Sequence, residues 1–266
     1  MSSTDKPVLS LDSVRQDIDA LDDQIVDLIA KRFEVTAHVR GLKQHTALTW
    51  ASPLRPAREA AILRRLLART KGSALNPDLL VRLWRNILNE SSRSQAPITV
   101  HVSKHLNHNM AHRLRLRDYF GAMPVEEYRD EAQALLQIDS MPGDLCVVET
   151  DQPWTEAFVA GASGKAQVIS CLPVLKDEAM PKLLVIGQAP IEASGHDETL
   201  VITEGKLPRD FVPQPIWQVK IGNHRLSSLP GYLLEHEGPL VGLTRSNPSL
   251  GLKVAGRYCS AIEVEI

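Results

Sequence analysis

Glu59 stands where an amphipathic helix should be apolar. The stretch RPAREAAILRR, residues 55–65, reads as a helix start, with Pro56 in the first turn, where its missing N–H costs nothing. Ala60, Ala61, Ile62, Leu63, Leu66 and Leu67 supply an apolar face, and Glu59 lies on it, one turn before Leu63. A carboxylate aimed into a core costs on the order of several kcal/mol unless something compensates it. A second charge breaks the seam of the preceding helix. Leu11, Val14, Ile18, Leu21, Ile25, Leu28, Val35, Val39 and Leu42 follow heptad spacing, but the seam position at 32 holds an arginine. Lys43 lies eleven residues beyond Arg32, on the same face and about 16 Å along the axis. In a third helix the stripe Leu80, Trp84, Ile87 continues as Ser91 and then Gln95. Any one of these groups could sit at a helix end or snorkel to water. As a set, cations and neutral donors converging on one helical core imply a small, anionic, polar guest held between helices.

The elements that must position these groups fall into two grammars. Up to about Ser94 the pattern is helical. No Pro or Gly interrupts residues 9–40, a Thr-, Ser- and Pro-rich loop covers 46–56, and a second helix runs to about Arg69 with Gly72 as a suitable C-terminal cap. Asn76-Pro77 then reads as a capped start for the third helix, which carries Leu80, Leu83, Trp84, Ile87 and Leu88. After residues 92–97 short strand-like runs take over: ITVHV, LCVVE, QVIS, KLLVIG, TLVIT, WQVKI, LKVAG and IEVEI. Helical patterns fall among them near residues 105–119, 131–137 and 226–236. The expected organisation is an all-α domain over 1–96 and an α/β or α+β domain over 97–266.

Composition narrows the function classes. The chain has 266 residues and a formal net charge of -2, so basic and acidic residues balance and no nucleic-acid partner is expected. No apolar run is long enough to span a membrane. The start, MSSTDKPVLS, has no signal-peptide pattern, and Cys146, Cys171 and Cys259 are isolated, without metal-ligand spacing. A cytoplasmic protein with reduced thiols is expected.

Four pieces, VRQDIDALDDQIVDLIAKR, VRGLK, PAREAAIL and LWRNILNESSRSQ, occur in that order over roughly the first third of the chain. As an ordered set they resemble the all-helical chorismate mutases, including the mutase domain fused to prephenate dehydratase in bacterial P-proteins. The resemblance implies a three-helix domain that forms a dimeric helical bundle and converts chorismate to prephenate without a cofactor or metal. Matched position by position, Arg15, Arg32, Lys43, Arg58, Glu59, Ser91 and Gln95 fall on the family's active-site positions. Arg15 and Arg32 would bind the substrate carboxylates, and Lys43 would bridge a carboxylate and the ether oxygen. Gln95 would donate to that oxygen, Glu59 would accept from the ring hydroxyl, and Ser91 would support a carboxylate. Arg58 is either an electrostatic partner of Glu59 or nearby Asp residues, or part of a solvated face. Arg55 departs from the acidic residue that many members carry just before the Arg-Glu pair. An isochorismate-pyruvate lyase or an amino-chorismate mutase on the same fold, and a non-catalytic dimer that regulates a partner enzyme, remain alternatives.

Arg15 lies seventeen residues before Arg32 on one unbroken helical pattern. That is about 25 Å along the axis and about 100° in rotation, so one small molecule cannot touch both within one straight helix. An antiparallel homodimer in which each site takes Arg15 from the other copy is expected, and the resemblance implies the same swap.

The second half carries fainter signals. MPKLLVIGQAPIEASGHDETLVIT resembles the region of prephenate dehydratases that holds a Thr-Arg-Phe run, but Met180, Pro181, Lys182 and Leu183 stand there. LKVAGRYCSAI faintly resembles the last strand of an ACT-like regulatory domain. A shortened, non-catalytic dehydratase-like or ACT-like domain is expected. His105, His108 and His112 have helical spacing on one face, with His101 just before them. They suggest either a zinc site or an exposed polar face, and no metal is assigned because no familiar ligand set is complete.

Overall fold

The computed structural model describes residues 10–44, 53–139, 141, 143–190 and 192–264, the side chains of 39–44 excepted. The chain divides into two compact units, Met1–Thr49 and Trp50–Ile266. The expected change of grammar near residue 96 is the change from helices to sheet. By packing, the division falls earlier, near residue 50.

In the first unit the described residues form one helix, α1 (Leu11–Gln44). It is unbroken: it holds no proline, and its one glycine, Gly41, lies in the last turn. Its apolar seam faces solvent: Leu11, Val14, Ile18, Leu21, Ile25, Leu28 and Val35 are all exposed.

In the second unit, α2 (Pro56–Arg69) begins at the proline, and α3 (Pro77–Arg93) is capped by Asn76, whose Oδ1 accepts from the backbone N–H groups of Asp78 at 2.8 Å and Leu79 at 3.3 Å. The cap of α2 is Thr70 rather than Gly72; Gly72 takes a positive φ of 79° in the turn beyond it.

The remaining elements are β1 (Val100–Ser103), α4 (Lys104–His108), α5 (Met110–Phe120), β2 (Val125–Tyr128), α6 (Glu131–Gln137), β3 (Leu145–Glu149), α7 (Thr155–Val159), β4 (Gln167–Leu172), β5 (Leu183–Gly187), β6 (Asp197–Thr203), β7 (Trp217–Ile221), β8 (His224–Pro230), α8 (Gly238–Ser246) and β9 (Lys253–Cys259). Helices α2 and α3 pack on each other, α3 also against α5 and α2 against β9. The strands make a nine-stranded mixed sheet in the order β2-β1-β3-β5-β4-β9-β6-β8-β7. β1 is parallel to β2 and β3, and β4 to β9; the other pairs are antiparallel. Strand β3 shows why its sequence lacks alternation. Leu145 and Val147 join the core under α5, Cys146 and Val148 the core under α6 and α7, so both faces are buried. The fold is therefore a helix-rich N-terminal segment followed by a mixed α/β sheet domain.

Two local irregularities lie in the middle of the sheet. In β4 the register slips between Val168 and Ser170, a bulge that re-aims Ser170. Beside it, β9 approaches so closely that a Cβ on Gly256 would lie 2.2 Å from the Val168 carbonyl oxygen.

Residues 226–236 are not helical. Their leucines have helical spacing, but Leu226 and Leu229 belong to β8, where Ser227 and Ser228 are buried as well. A strand buried on both faces shows no period of two, so leucine spacing alone points to the wrong element. Among the described residues no helix is long and apolar enough to cross a membrane.

Candidate active site

Glu59 sits in the first turn of α2, its side chain 12% exposed, and its Oε2 accepts from Arg85 Nη1 at 2.6 Å. Arg85, 3% exposed, is held on every side. Its Nη2 donates to Asn89 Oδ1 at 3.1 Å, its Nε to the Tyr119 carbonyl at 3.3 Å, and its Cζ lies 3.7 Å above the Tyr119 ring. Asn89 Nδ2 donates to the same carbonyl, and the Tyr119 hydroxyl meets Ser170 Oγ at 2.7 Å, which the β4 bulge makes available. Burial opposes the Arg85 charge, but Tyr119 and Glu59 more than offset it, and its pKa is raised. Burial also pushes the Tyr119 phenol up, so the hydroxyl keeps its proton. Removing one partner of such a buried pair costs about 3–5 kcal/mol, because the other charge is left uncompensated. Among the described residues Glu59 Oε1 accepts no hydrogen bond. That oxygen belongs to a residue lining a small open depression between α2, β4 and the end of β9, with Arg85, Ser170, Cys171 and Cys259 around it.

The other expected site residues are placed as follows. Ser91 is buried, with its Oγ donating back to the Ile87 carbonyl at 2.8 Å. Gln95 lies just past the end of α3, and its Nε2 donates to the Ser91 carbonyl at 2.9 Å. Arg58 is exposed and is not the partner of Glu59; Arg85 has that place. Arg55 pairs with Glu192 within this unit, both side chains being about two-fifths exposed (42% and 40%). On α1, Arg32 is half-buried, and Arg15 is exposed and pairs with Asp12 at 3.3 Å. The Lys43 backbone is helical, and its side chain lies outside the described residues. Arg15 and Arg32 share one continuous helix and are not brought together within it.

Sequence reasoning missed Arg85 and Tyr119. A signal for Arg85 was there. It stands four residues after Val81 and three before Leu88, both buried, so it breaks a stripe as Glu59 does. Tyr119 lies far along the chain, and nothing local links it to Arg85.

The histidines do not share one helical face. Asn109 divides α4 from α5 and caps the latter. His105 Nε2 and His112 Nε2 reach the two oxygens of buried Glu149 at 3.2 and 2.9 Å, while His108 faces Glu127 at 3.4 Å. His101 is on β1, buried, with its ring nitrogens 3.0 Å from Asp144 Oδ2 and 3.1 Å from the Tyr128 hydroxyl. Among the described residues no group of three or more His, Cys, Asp or Glu side chains is arranged to hold a metal ion.

Comparison with known proteins gives three findings. Residues 14–96 match the family model of chorismate mutase type II. No curated protein matches the chain. Among solved structures, one described as GqqA, a novel type of quorum quenching acylase, has 8% identity and a TM-score of 0.41, covering 61% of this chain and 95% of its own. The prephenate dehydratase from Streptococcus mutans has 11% identity and a TM-score of 0.37, covering 64% of this chain and all of its own.

Proposed function

We propose that this protein is a chorismate mutase working as a homodimer in the cytoplasm, in the biosynthesis of phenylalanine and tyrosine. The observation that carries the reading is the match of residues 14–96 to the chorismate mutase type II family, the span that also contains all seven expected site residues. The exposed apolar seam of α1 supports the dimer, since such a stripe asks for a second long helix.

The reaction is an intramolecular Claisen rearrangement, in which the ether C–O bond breaks as a C–C bond forms. It requires no external nucleophile and no proton transfer. The catalyst must hold a flexible dicarboxylate in its compact conformation and stabilise charge developing on the ether oxygen. Arg32, and Arg15 from the second copy, bind the carboxylates, where a guanidinium fork matches carboxylate geometry. Lys43 bridges a carboxylate and the ether oxygen, and Gln95 donates to that oxygen. Glu59 accepts from the ring hydroxyl through Oε1, with Oε2 held by Arg85. Ser91 supports a carboxylate, and Arg58 contributes charge at the rim.

Incubation with chorismate should accelerate the fall of its ultraviolet absorbance well above the uncatalysed first-order rate. An unchanged background rate removes the reading. Release of pyruvate in place of prephenate would select the lyase alternative. Residues 97–266 are proposed to lack dehydratase activity, since Met180, Pro181 and Lys182 offer neither the hydroxyl nor the guanidinium of the Thr-Arg-Phe run. Phenylpyruvate formed at neutral pH above the spontaneous rate would overturn that.

A further inference from the structure

We propose that Arg85 is a positioning residue for Glu59, and that Tyr119 makes the sheet domain a working part of the mutase site. The inference rests on the mutase reading and goes beyond it, because it gives residues of the second half a role in the chemistry. Carboxylates in contact with a hydroxyl need a fixed lone pair rather than a charge alone. Glu59 has one oxygen fixed and the other without a partner among the described residues. The fixing group is not free to move. Arg85 is clamped by the Asn89 amide, by the Tyr119 carbonyl and by the face of the Tyr119 ring. Tyr119 is set in turn by Ser170 at the β4 bulge. The chain of contacts runs Ser170, Tyr119, Arg85, Glu59, from the sheet through α5 and α3 to α2, all within one compact unit.

A scaffold role and a positioning role differ in what they change. Loss of scaffold lowers the amount of active protein. Loss of positioning lowers the preference for a substrate whose hydroxyl Glu59 receives. The readout is therefore a ratio: kcat/KM for chorismate divided by kcat/KM for an analogue that lacks only the ring hydroxyl. This ratio does not depend on how much of the protein is folded. In the full-length chain Arg85→Gln should cut it roughly tenfold, the value of one hydrogen bond to a charged group. Arg85→Lys, which keeps the charge and loses the fork, should fall between. Tyr119→Leu, which removes the ring under the guanidinium, should lower the ratio in the same direction. Glu59→Gln should lower it too, and adding Arg85→Gln to Glu59→Gln should lower it no further, since Arg85 acts through the carboxylate. If Arg85→Gln does not fold, Arg85→Lys and the double variant, in which neither residue is charged, carry the test. An unmoved ratio in Arg85→Lys and Tyr119→Leu, with an active native enzyme, overturns this inference and leaves the mutase reading intact. A native enzyme with no preference for the hydroxyl also overturns it. A native protein that does not accelerate the loss of chorismate overturns the mutase reading and this inference with it.

Discussion

Helix α1 and the second unit treat charge in opposite ways. In the second unit, several charged and polar groups are buried and paired within the same chain. Glu59 has Arg85, His101 has Asp144, and Glu198 accepts from Tyr258 at 2.7 Å. In α1 no described residue is buried, the seam leucines and isoleucines are exposed, and Arg15 has only a surface contact with Asp12. A surface pair of that kind is worth about 0–1 kcal/mol. The second unit thus has a core of its own. α1 has an amphipathic pattern whose apolar stripe is exposed, the stripe that the proposed dimer would cover. In the proposed enzyme the difference would separate two tasks: α1 would associate, and the second unit would hold an acceptor still.

The largest effect should come from breaking the association. Ile18→Glu with Ile25→Glu places two charges on the seam. The dimer should dissociate in analytical ultracentrifugation and mutase activity should fall to background. Tyrosine and tryptophan fluorescence of the sheet unit should be unchanged. Retained activity in a proven monomer would end the distinction drawn between the regions.

Next in size is complementation. Arg15→Ala and Arg32→Ala homodimers should each be nearly inactive. Co-unfolded and refolded together, they should regain about a quarter of native activity, because half the dimers are mixed and half the sites of each mixed dimer are intact. Mixed dimers that restore nothing would place Arg15 within its own chain or outside the site.

A smaller change tests the neutral donor. With Gln95, turnover should stay roughly flat from about pH 5 to 9, with Lys43 limiting the upper end. Gln95→Glu must be protonated to donate, so its activity should be present at acid pH and lost as pH rises through the new carboxyl's pKa. A native pH-rate profile that drops steeply above neutrality would contradict the role given to Gln95.

The smallest effect probes the sheet unit alone. Asp130 caps α6, accepting from the Gln133 N–H at 2.9 Å, and that bond, with Arg129 beside it, holds its pKa below the usual carboxylate range. A depressed carboxylate contributes stability above its unfolded pKa and loses it as pH falls through the folded one. Asp130→Ala should cost about 1 kcal/mol at pH 7 in urea unfolding, with the deficit shrinking in acid, and mutase activity should not change.

Legibility in the sequence depends on how local each determinant is. Most of the length of α1 needs only the breaker-free stretch 9–40, and the start of α3 only Asn76-Pro77. Strands β3 and β5 are legible because LCVVE and LLVIG are too short and too apolar to be anything but buried strands between breakers. β2 is not, since VEEY is an exposed edge segment with two acidic residues and no apolar run. β8 passes for a helix because its buried serines look like a polar face, and their burial is explained only by strands β6 and β7 on either side. At the site, Glu59 is legible as an anomaly. What compensates it is not, because Arg85 is a helix away and the anchor of Arg85 is a residue of α5. From the sequence alone, a bound alcohol is the reason for the carboxylate; the structure adds a cation that serves its other oxygen.

Gly256 has a consequence for the range of sequences that can keep this sheet. The backbone of β4 occupies the space where any side chain would begin, 2.2 Å from the Val168 oxygen and 2.5 Å from its nitrogen. Backbone cannot step aside as the tip of a lysine can. In a library holding all twenty residues at every position, most of β9 should accept several substitutes matched in size. Position 256 should accept one letter, and alanine, the mildest change available, should be depleted as severely as tryptophan.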